Sequence, residues 1–270
     1  MPLAHLLSYA ISGDPPAPND MNIVACIKRV PATETQPRIA PDGKGMDHST
    51  TEYMLSFYDE IALEEAIRTK EAVGGEVTAL TLGPAEATKE IRDCLARGAD
   101  KGCLLTDAEW YARDTRTTAK ALSAQVSAIG ADVVFCGRQA TDRDNAAVGQ
   151  MMATYLGWAC VTDVIEFSLD GTKGSAMRES EHGIETYTFE LPAVITCQKG
   201  LNEPRYAGLK GIMAAKKKPI EEVDPELVDN MTEVLGVELP PARPEGRIIG
   251  EGTAAIPALL EALRTEAKVF

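Results

Sequence analysis

The chain predicts an α/β fold: a doubly wound, largely parallel sheet with a small antiparallel addition and an extended C-terminal arm. Three features predict it. From 21 to about 156, short apolar runs alternate with amphipathic helical stretches, the pattern of a parallel sheet covered on both faces. From 161 the spacing changes to apolar–polar alternation, as in antiparallel strands. After Pro225 the core pattern stops, and Pro240, Pro241 and Pro244 mark a linker.

Residues 21–30 (MNIVACIKRV) are an apolar run closed by a basic pair and Pro31, predicting a buried strand that ends in a loop. Residues 31–56 are polar, with Pro41-Asp42-Gly43 as a turn, and read as a long excursion outside the core. Residues 58–71 carry Ile61, Leu63, Ala66 and Ile67 at helical spacing, and Gly74-Gly75 stops that helix. Glu60, Glu64 and Glu65 are expected on its solvated face. A second strand (76–82) turns at Gly83-Pro84 into a helix over 85–97; a third strand near 101–105 precedes a helix at 115–129. Residues 131–136 (ADVVFC) are a fourth buried strand, broken at Gly137 before a helix near 145–156. Residues 161–191 alternate, with Gly171 and Gly183 at turns, and 192–197 are a further apolar strand. Residues 256–268 predict a short amphipathic helix that packs on the body or on a partner.

The bulk properties exclude several classes. With 270 residues, 44% of them hydrophobic, the chain can bury a full core. A net charge of −14 and no basic stripe beyond 216–218 argue against nucleic acid. The six cysteines include no CxxC, and several sit in apolar runs as small core hydrophobes; the three histidines are dispersed, so no metal site is expected. The expected setting is a reducing compartment, the bacterial cytoplasm ahead of the mitochondrial matrix. No run is long enough to span a membrane. Residues 1–20 hold no Lys or Arg and are expected to be a flexible extension, or sequence upstream of the natural start.

Two segments carry the functional signal. In doubly wound sheets ligands sit at the carboxyl ends of strands near the switch in strand order, here the loops after Val30, Leu82 and Cys136. The last loop runs GRQATDRDNAAVGQ, from Gly137 to Gln150. Small residues let helix-start amides approach a phosphate, and Asp144 or Asn145 could cap that helix. On its residues alone the segment reads first as an ordinary capped turn, since no glycine-rich phosphate fingerprint is present. The second segment, LNEPRYAGLKGIMAAKKK (201–218), sets Leu209 between glycines beside a lysine run. That is what docking on an acidic partner needs, an anchor plus charge steering; the alternative is a surface loop whose leucine covers core. No Ser–His or Cys–His constellation can be assembled, so no catalytic side chains are expected.

LNEPRYA, then Leu209, Ile212-Met213 and the lysines, resembles in order and spacing the partner-recognition loop of electron transfer flavoprotein beta subunits. The Gly137–Gln150 segment resembles the AMP-binding loop of the same family. The resemblance covers roughly 21–220 and implies an adenine nucleotide alpha hydrolase-like domain there, with 221–270 an arm packing on the partner subunit. It implies nucleotide contacts from Ala25, Cys26, Ser56, Tyr58, Asp59, Leu82, Gly83, Asp142, Asp144, Asn145, Ala146, Ala147, Val148, Gly149 and Gln150. It implies docking through Arg178, Glu179, Tyr206, Leu209, Ile212, Met213, Lys216, Lys217 and Lys218. Tyr58 would approach an FAD shared with an alpha subunit, or else be a core tyrosine. The implied role is a non-catalytic carrier between flavin dehydrogenases and a quinone oxidoreductase.

Ala146-Ala147-Val148 departs from the more polar Asn-Gln-Thr of many AMP-binding members. Flavin-bifurcating members, which carry a second FAD and oxidise NADH, share the valine but usually have proline where this chain has Gln150. AMP is the favoured occupant and FAD the alternative. A stand-alone universal-stress-type nucleotide domain is a further alternative, against which the arm and the LNEPRYAGL loop speak. The lack of a Ser-Gly-Gly-x-Asp-Ser loop speaks against ATP pyrophosphatase chemistry.

Overall fold

Strand β1 (Asn22–Cys26) lies in the middle of the main sheet, and the chain winds outward from it in both directions. The computed structural model describes residues 21–243 and 245–269; the extension expected over 1–20 and the linker residue Pro244 lie outside these. After β1 come β2 (Arg29–Pro31) and β3 (Tyr53–Leu55), helix α1 (Phe57–Val73) and strand β4 (Glu76–Gly83). Helix α2 (Thr88–Arg97), strand β5 (Lys101–Thr106), helix α3 (Thr115–Ile129) and strand β6 (Val133–Gly137) follow. Helix α4 (Val148–Leu156) leads into β7 (Ala159–Asp170), β8 (Lys173–Ser180), β9 (Gly183–Glu190) and β10 (Ala193–Cys197). Helix α5 (Leu209–Ala215), strand β11 (Ile220–Val223) and helix α6 (Ile256–Thr265) close the chain.

Nine strands form one sheet in the order β11-β5-β4-β1-β6-β10-β7-β8-β9. Pairing is parallel from β11 through β10 to the start of β7, and antiparallel across β7, β8 and β9. Ala25 on β1 is flanked by Ala79 on β4 and Phe135 on β6. The chain builds β4 and β5 on one side of β1, then crosses to β6 on the other. The strand order therefore reverses at β1, where a ligand crevice is expected.

Alternation along β1 divides the core into two layers. Ile23 and Ala25 pack with Ile61, Ile67, Ile91 and Leu95 of α1 and α2. Val24 and Cys26 pack with Leu122 and Val126 of α3 and Met152 of α4. This is the two-faced burial that near-continuous apolar strands demand. Cys160 is exposed and the other five cysteines are buried. Among the described residues no helix is long and apolar enough to cross a membrane.

The structure corrects four expectations. The strand expected over 21–30 ends at Cys26, because the Lys28 amide donates to Oδ2 of Asp59 at 2.8 Å instead of continuing the ladder. The 31–56 excursion is not wholly outside regular structure: β3 pairs antiparallel with β2, with Arg29 opposite Leu55. The segment around Leu209 is helix α5 rather than a loop. Glu64 and Glu65 are not solvated: they are 6% and 7% exposed. Glu64 accepts from Arg205 Nε at 2.8 Å, Glu65 accepts from Asn202 Nδ2 at 2.9 Å, and Glu60 accepts from Arg97 at 2.7 Å.

Among the described residues beyond β11, the arm has no regular structure until a short turn at Thr253–Ala255. It is nonetheless tethered: Asn230 Oδ1 accepts from the Asp114 amide at 3.0 Å, and the Val237 amide donates to the Gly43 carbonyl at 2.9 Å. Helix α6 buries none of its residues, leaving Ile256, Leu259 and Leu260 exposed at helical spacing.

Candidate functional site

The carboxyl ends of β1, β4 and β6 open into a cleft of about 890 Å³, counted to its open solvent side. Its floor is Cys26, Leu82 and Cys136; one wall is the loop into α4, and the other is the turn Trp110–Ala112 with Arg113. Asp59, in the first turn of α1, ties the floor together. Its Oδ2 accepts from the Lys28 amide at 2.8 Å and its Oδ1 from the Gly137 amide at 3.0 Å. Burial pushes this carboxyl up to about 7, against the two amide bonds, which favour its charged form.

Two glycines set how closely the elements approach. A Cβ on Gly137 would lie 2.3 Å from Asp59 Oδ1, and one on Gly149 would lie 2.7 Å from Cγ2 of Thr196 on β10. Gly149 thereby brings the start of α4 onto the sheet edge of the cleft. Ahead of it, Asp144 and Ala146 adopt φ of +50° and +47°. That left-handed region is uncommon for residues with a side chain and concentrates at ligand-binding segments. The helix start has no side-chain cap: Ala147 holds the capping position, so the cap expected from Asp144 or Asn145 is not made. Asp144 instead accepts from Gln139 at 2.7 Å, and Asn145 donates to Oγ1 of Thr115 at 3.0 Å. The uncapped amides are left to whatever occupies the cleft.

Of the residues expected at the nucleotide, Cys26, Asp59, Leu82, Asn145, Ala146, Ala147, Val148 and Gly149 line this cleft together. The others do not. Ala25 faces the opposite core layer, because neighbours on a strand point to opposite faces. Ser56 is wholly buried with its hydroxyl unpartnered, and Gly83 lies in the β4–β5 ladder. Tyr58 packs against the α1 layer beside the half-exposed ring of Phe57, their centroids 5.3 Å apart. Asp142 acts through Lys28, whose ammonium lies 2.7 Å from it. Gln150 Nε2 donates to the Ala146 carbonyl at 2.8 Å, leaving Oε1 buried without a partner.

The sequence missed Lys28, Trp110, Tyr111, Arg113 and Arg138, and gave Arg143 no role beyond its place in the loop. The rule that places ligands at strand ends names the loop after β5 as readily as the others, and that loop supplies the aromatic wall. Tyr111 is packed edge-on by His48 at 4.5 Å, and the guanidinium of Arg143 lies 4.5 Å from its ring centroid. Burial depresses the Lys28 ammonium, with Asp142 pulling the other way. Among the described residues no cluster of His, Cys, Asp or Glu could hold a metal ion.

A second surface lies on α5. Its start follows a segment fastened to α1 by Asn202 and by Arg205, whose guanidinium bonds Glu64 at 2.8 and 2.9 Å and Glu71 at 2.6 and 3.0 Å. Gly211 packs on α2 so closely that a Cβ would lie 2.2 Å from the Ala96 carbonyl oxygen. Arg92 holds the end of α5 through the Ala215 and Lys218 carbonyls, both at 2.6 Å. On this rigid seat Tyr206 and Leu209 are 93% and 75% exposed, and Ile212 and Met213 continue the apolar face at helical spacing. Lys216 and Lys217 are exposed. Lys218 departs from the expected docking run: its ammonium caps α2 through the Leu95 carbonyl at 3.0 Å and the Ala99 carbonyl at 2.5 Å.

Arg178 and Glu179, expected together at a docking surface, differ in their settings within this chain. Arg178 is held by Glu185 at 2.8 Å and Thr162 at 3.1 Å, whereas Glu179, its neighbour on β8, is exposed.

Comparison with known proteins follows the same lines. The family described as the electron transfer flavoprotein domain matches residues 45–228. The chain is 38% identical over 257 residues to the electron transfer flavoprotein subunit beta of Thermoanaerobacterium thermosaccharolyticum, covering 91% of this chain and 98% of that one. It is 35% identical to the Bacillus subtilis subunit beta, covering 93% and 100%, and 37% identical to the human one, covering 84% and 92%.

Proposed function

Since the chain belongs to the electron transfer flavoprotein family as a beta subunit, we propose that it binds AMP structurally, shelters an FAD carried by an alpha subunit, and docks flavin dehydrogenases through α5. Membership leaves no place for a stand-alone stress-type nucleotide domain. The observation that carries the nucleotide reading is the cleft at the reversal of strand order, with the uncapped start of α4 on its edge.

The residues fit such a ligand. Gly137 and Gly149 keep the cradle clear of side chains, and the backbone at Asp144 and Ala146 is already in a strained, ligand-type conformation. Gln150 Oε1 is a buried acceptor without a partner. For the shared flavin, Phe57 and Tyr58 offer an apolar aromatic edge at the start of α1. FAD, when bound, supplies the electron-carrying chemistry. This chain's own residues position and recognise; the buried carboxylates of Asp59, Glu64 and Glu65 are occupied in structural bonds to Lys28, Gly137, Arg205 and Asn202.

Docking through a few exposed apolar residues suits a complex that must release quickly. On this reading a dehydrogenase takes Leu209 into a pocket, Lys216 and Lys217 steer its approach, and electrons pass onward to a quinone oxidoreductase. The arm, with α6 unburied, is the part that packs on the alpha subunit.

One observation favours a second reading. Val148 presents an apolar side chain to the cleft, which suits a second FAD and a bifurcating, NADH-oxidising complex. Mass spectrometry of ligands released from the purified two-subunit complex decides. One FAD and one AMP per complex support the first reading and two FAD the second; FAD with no second nucleotide overturns the cleft assignment.

A further inference from the structure

We propose that Arg143 is the side chain by which the cleft recognises the phosphate of its ligand, and that the Trp110–Ala112 turn holds its guanidinium ready. The proposal rests on the nucleotide reading above and gives one residue of that loop a specific role in it.

Four cationic side chains line the cleft: Lys28, Arg113, Arg138 and Arg143. Three are neutralised where they stand. Lys28 lies 2.7 Å from Asp142, Arg113 lies 2.7 Å from Asp107, and Arg138 lies 2.9 Å from Asp163. Arg143 makes no ion pair with a carboxylate among the described residues. Its Nη1 donates to the Arg113 carbonyl at 3.3 Å, its Nη2 donates to the Tyr111 carbonyl, and its plane lies over the Tyr111 ring. Carbonyls and an aromatic face orient a guanidinium without cancelling its charge, and they engage two of its five N–H groups. Tyr111 is in turn braced edge-on by both His48 and Trp110, at 4.5 and 5.2 Å.

The rest of the loop offers no second unpaired cation, Arg138 being held by Asp163. Ala146, Ala147 and Val148 offer only backbone amides, and Asp144 would repel an anion. An anion entering a chain of net charge −14 meets an unfavourable field unless a local cation offsets it. Arg143 is the cleft's uncancelled positive charge, and its planar fork suits phosphate oxygens.

The test is calorimetric titration of nucleotide-depleted two-subunit complex with AMP, FAD and adenosine, for wild type, Arg143→Gln and Arg143→Lys. Arg143→Gln is expected to weaken AMP, or FAD if that is the ligand, by about ten- to hundredfold while adenosine changes by less than about twofold. Arg143→Lys is expected to fall between, with the salt dependence of wild type. Equal weakening of adenosine and AMP would show that Arg143 only shapes the loop, and unchanged AMP affinity would remove it from recognition; either overturns the proposal while the nucleotide reading stands. If wild type binds none of the three, both fall together. Thermal melting of the ligand-free complexes checks that the variants fold.

Discussion

Gly137 donates its amide hydrogen to Oδ1 of Asp59 at 3.0 Å, and a Cβ on Gly137 would sit 2.3 Å from that same oxygen. The end of β6 is thus pinned to the first turn of α1 with no room for a side chain. Through Oδ2 the same carboxylate pins the end of β1. One buried side chain sets the spacing of the two strands between which the sheet order reverses.

Gly137→Ala is therefore expected to destabilise the complex by about 1–3 kcal/mol, through overpacking against both Asp59 and the Tyr58 main chain. It should also lower retained nucleotide. Gly208→Ala, where nothing lies within 4 Å of the new Cβ, is the control and should be near neutral. Chemical denaturation of both variants checks the pair.

Asp59 also predicts a pH dependence. Burial raises its carboxyl from 3.8 to about 7 in the folded chain, so the folded state holds this proton more tightly than the unfolded one. Its contribution to stability is complete below 3.8, erodes as pH rises, and is gone above about 7. Wild type should lose stability relative to Asp59→Asn between about pH 4 and pH 7, with a constant difference at higher pH. Melting curves across that range decide; a difference that does not vary with pH contradicts the prediction.

Arg205→Gln removes the cation that satisfies Glu64, a side chain 7% exposed. Arg205 is itself a third exposed, so the expected loss is about 1–3 kcal/mol, below that of a fully buried pair. The segment before α5 should loosen, seen as faster amide exchange over residues 201–209 at unchanged exchange in β1 and β6.

Leu209→Ala is expected to slow electron uptake from the dehydrogenase while subunit assembly and nucleotide content stay at wild-type levels. Stopped-flow reduction with the physiological donor gives the rate, and an unaltered rate would remove Leu209 from the docking surface.

The lysines should separate by role. Neutralising Lys216 and Lys217 is expected to flatten the salt dependence of association with the dehydrogenase. Lys218→Met should leave that slope alone and lower stability instead, since its ammonium serves the Leu95 and Ala99 carbonyls. Association rates at two ionic strengths, beside melting curves, separate the cases.

What the sequence made legible was local. Helix α3 runs over the 115–129 its spacing predicts, and the β4, β6 and β10 cores follow from apolar runs bounded by glycine or proline. The buried state of Glu64 was not legible, because it depends on Arg205, 141 residues away in sequence. Strand β11 (IEEV) has too few apolar residues to announce itself and exists by pairing with β5. Helix α5, seven residues long, is too short to stand alone and is held by Gly211 and Arg92 on α2; the spacing of Leu209, Ile212 and Met213 was its one sequence signal. At the cleft, the loop after β6 was readable as a motif. The Trp110–Ala112 wall was not, since a single 3-10 turn has no periodicity to read.

Helix α6 spans ten residues and buries none of them. A lone helix of that length is marginal in water, so if the arm packs as proposed, its folding would draw on surface supplied by the alpha subunit. Synthesised in excess of its mate, this polypeptide would keep its sheet yet display a frayed, greasy tail to proteases and chaperones. On that reading, supply of the companion would set how much of the free chain survives.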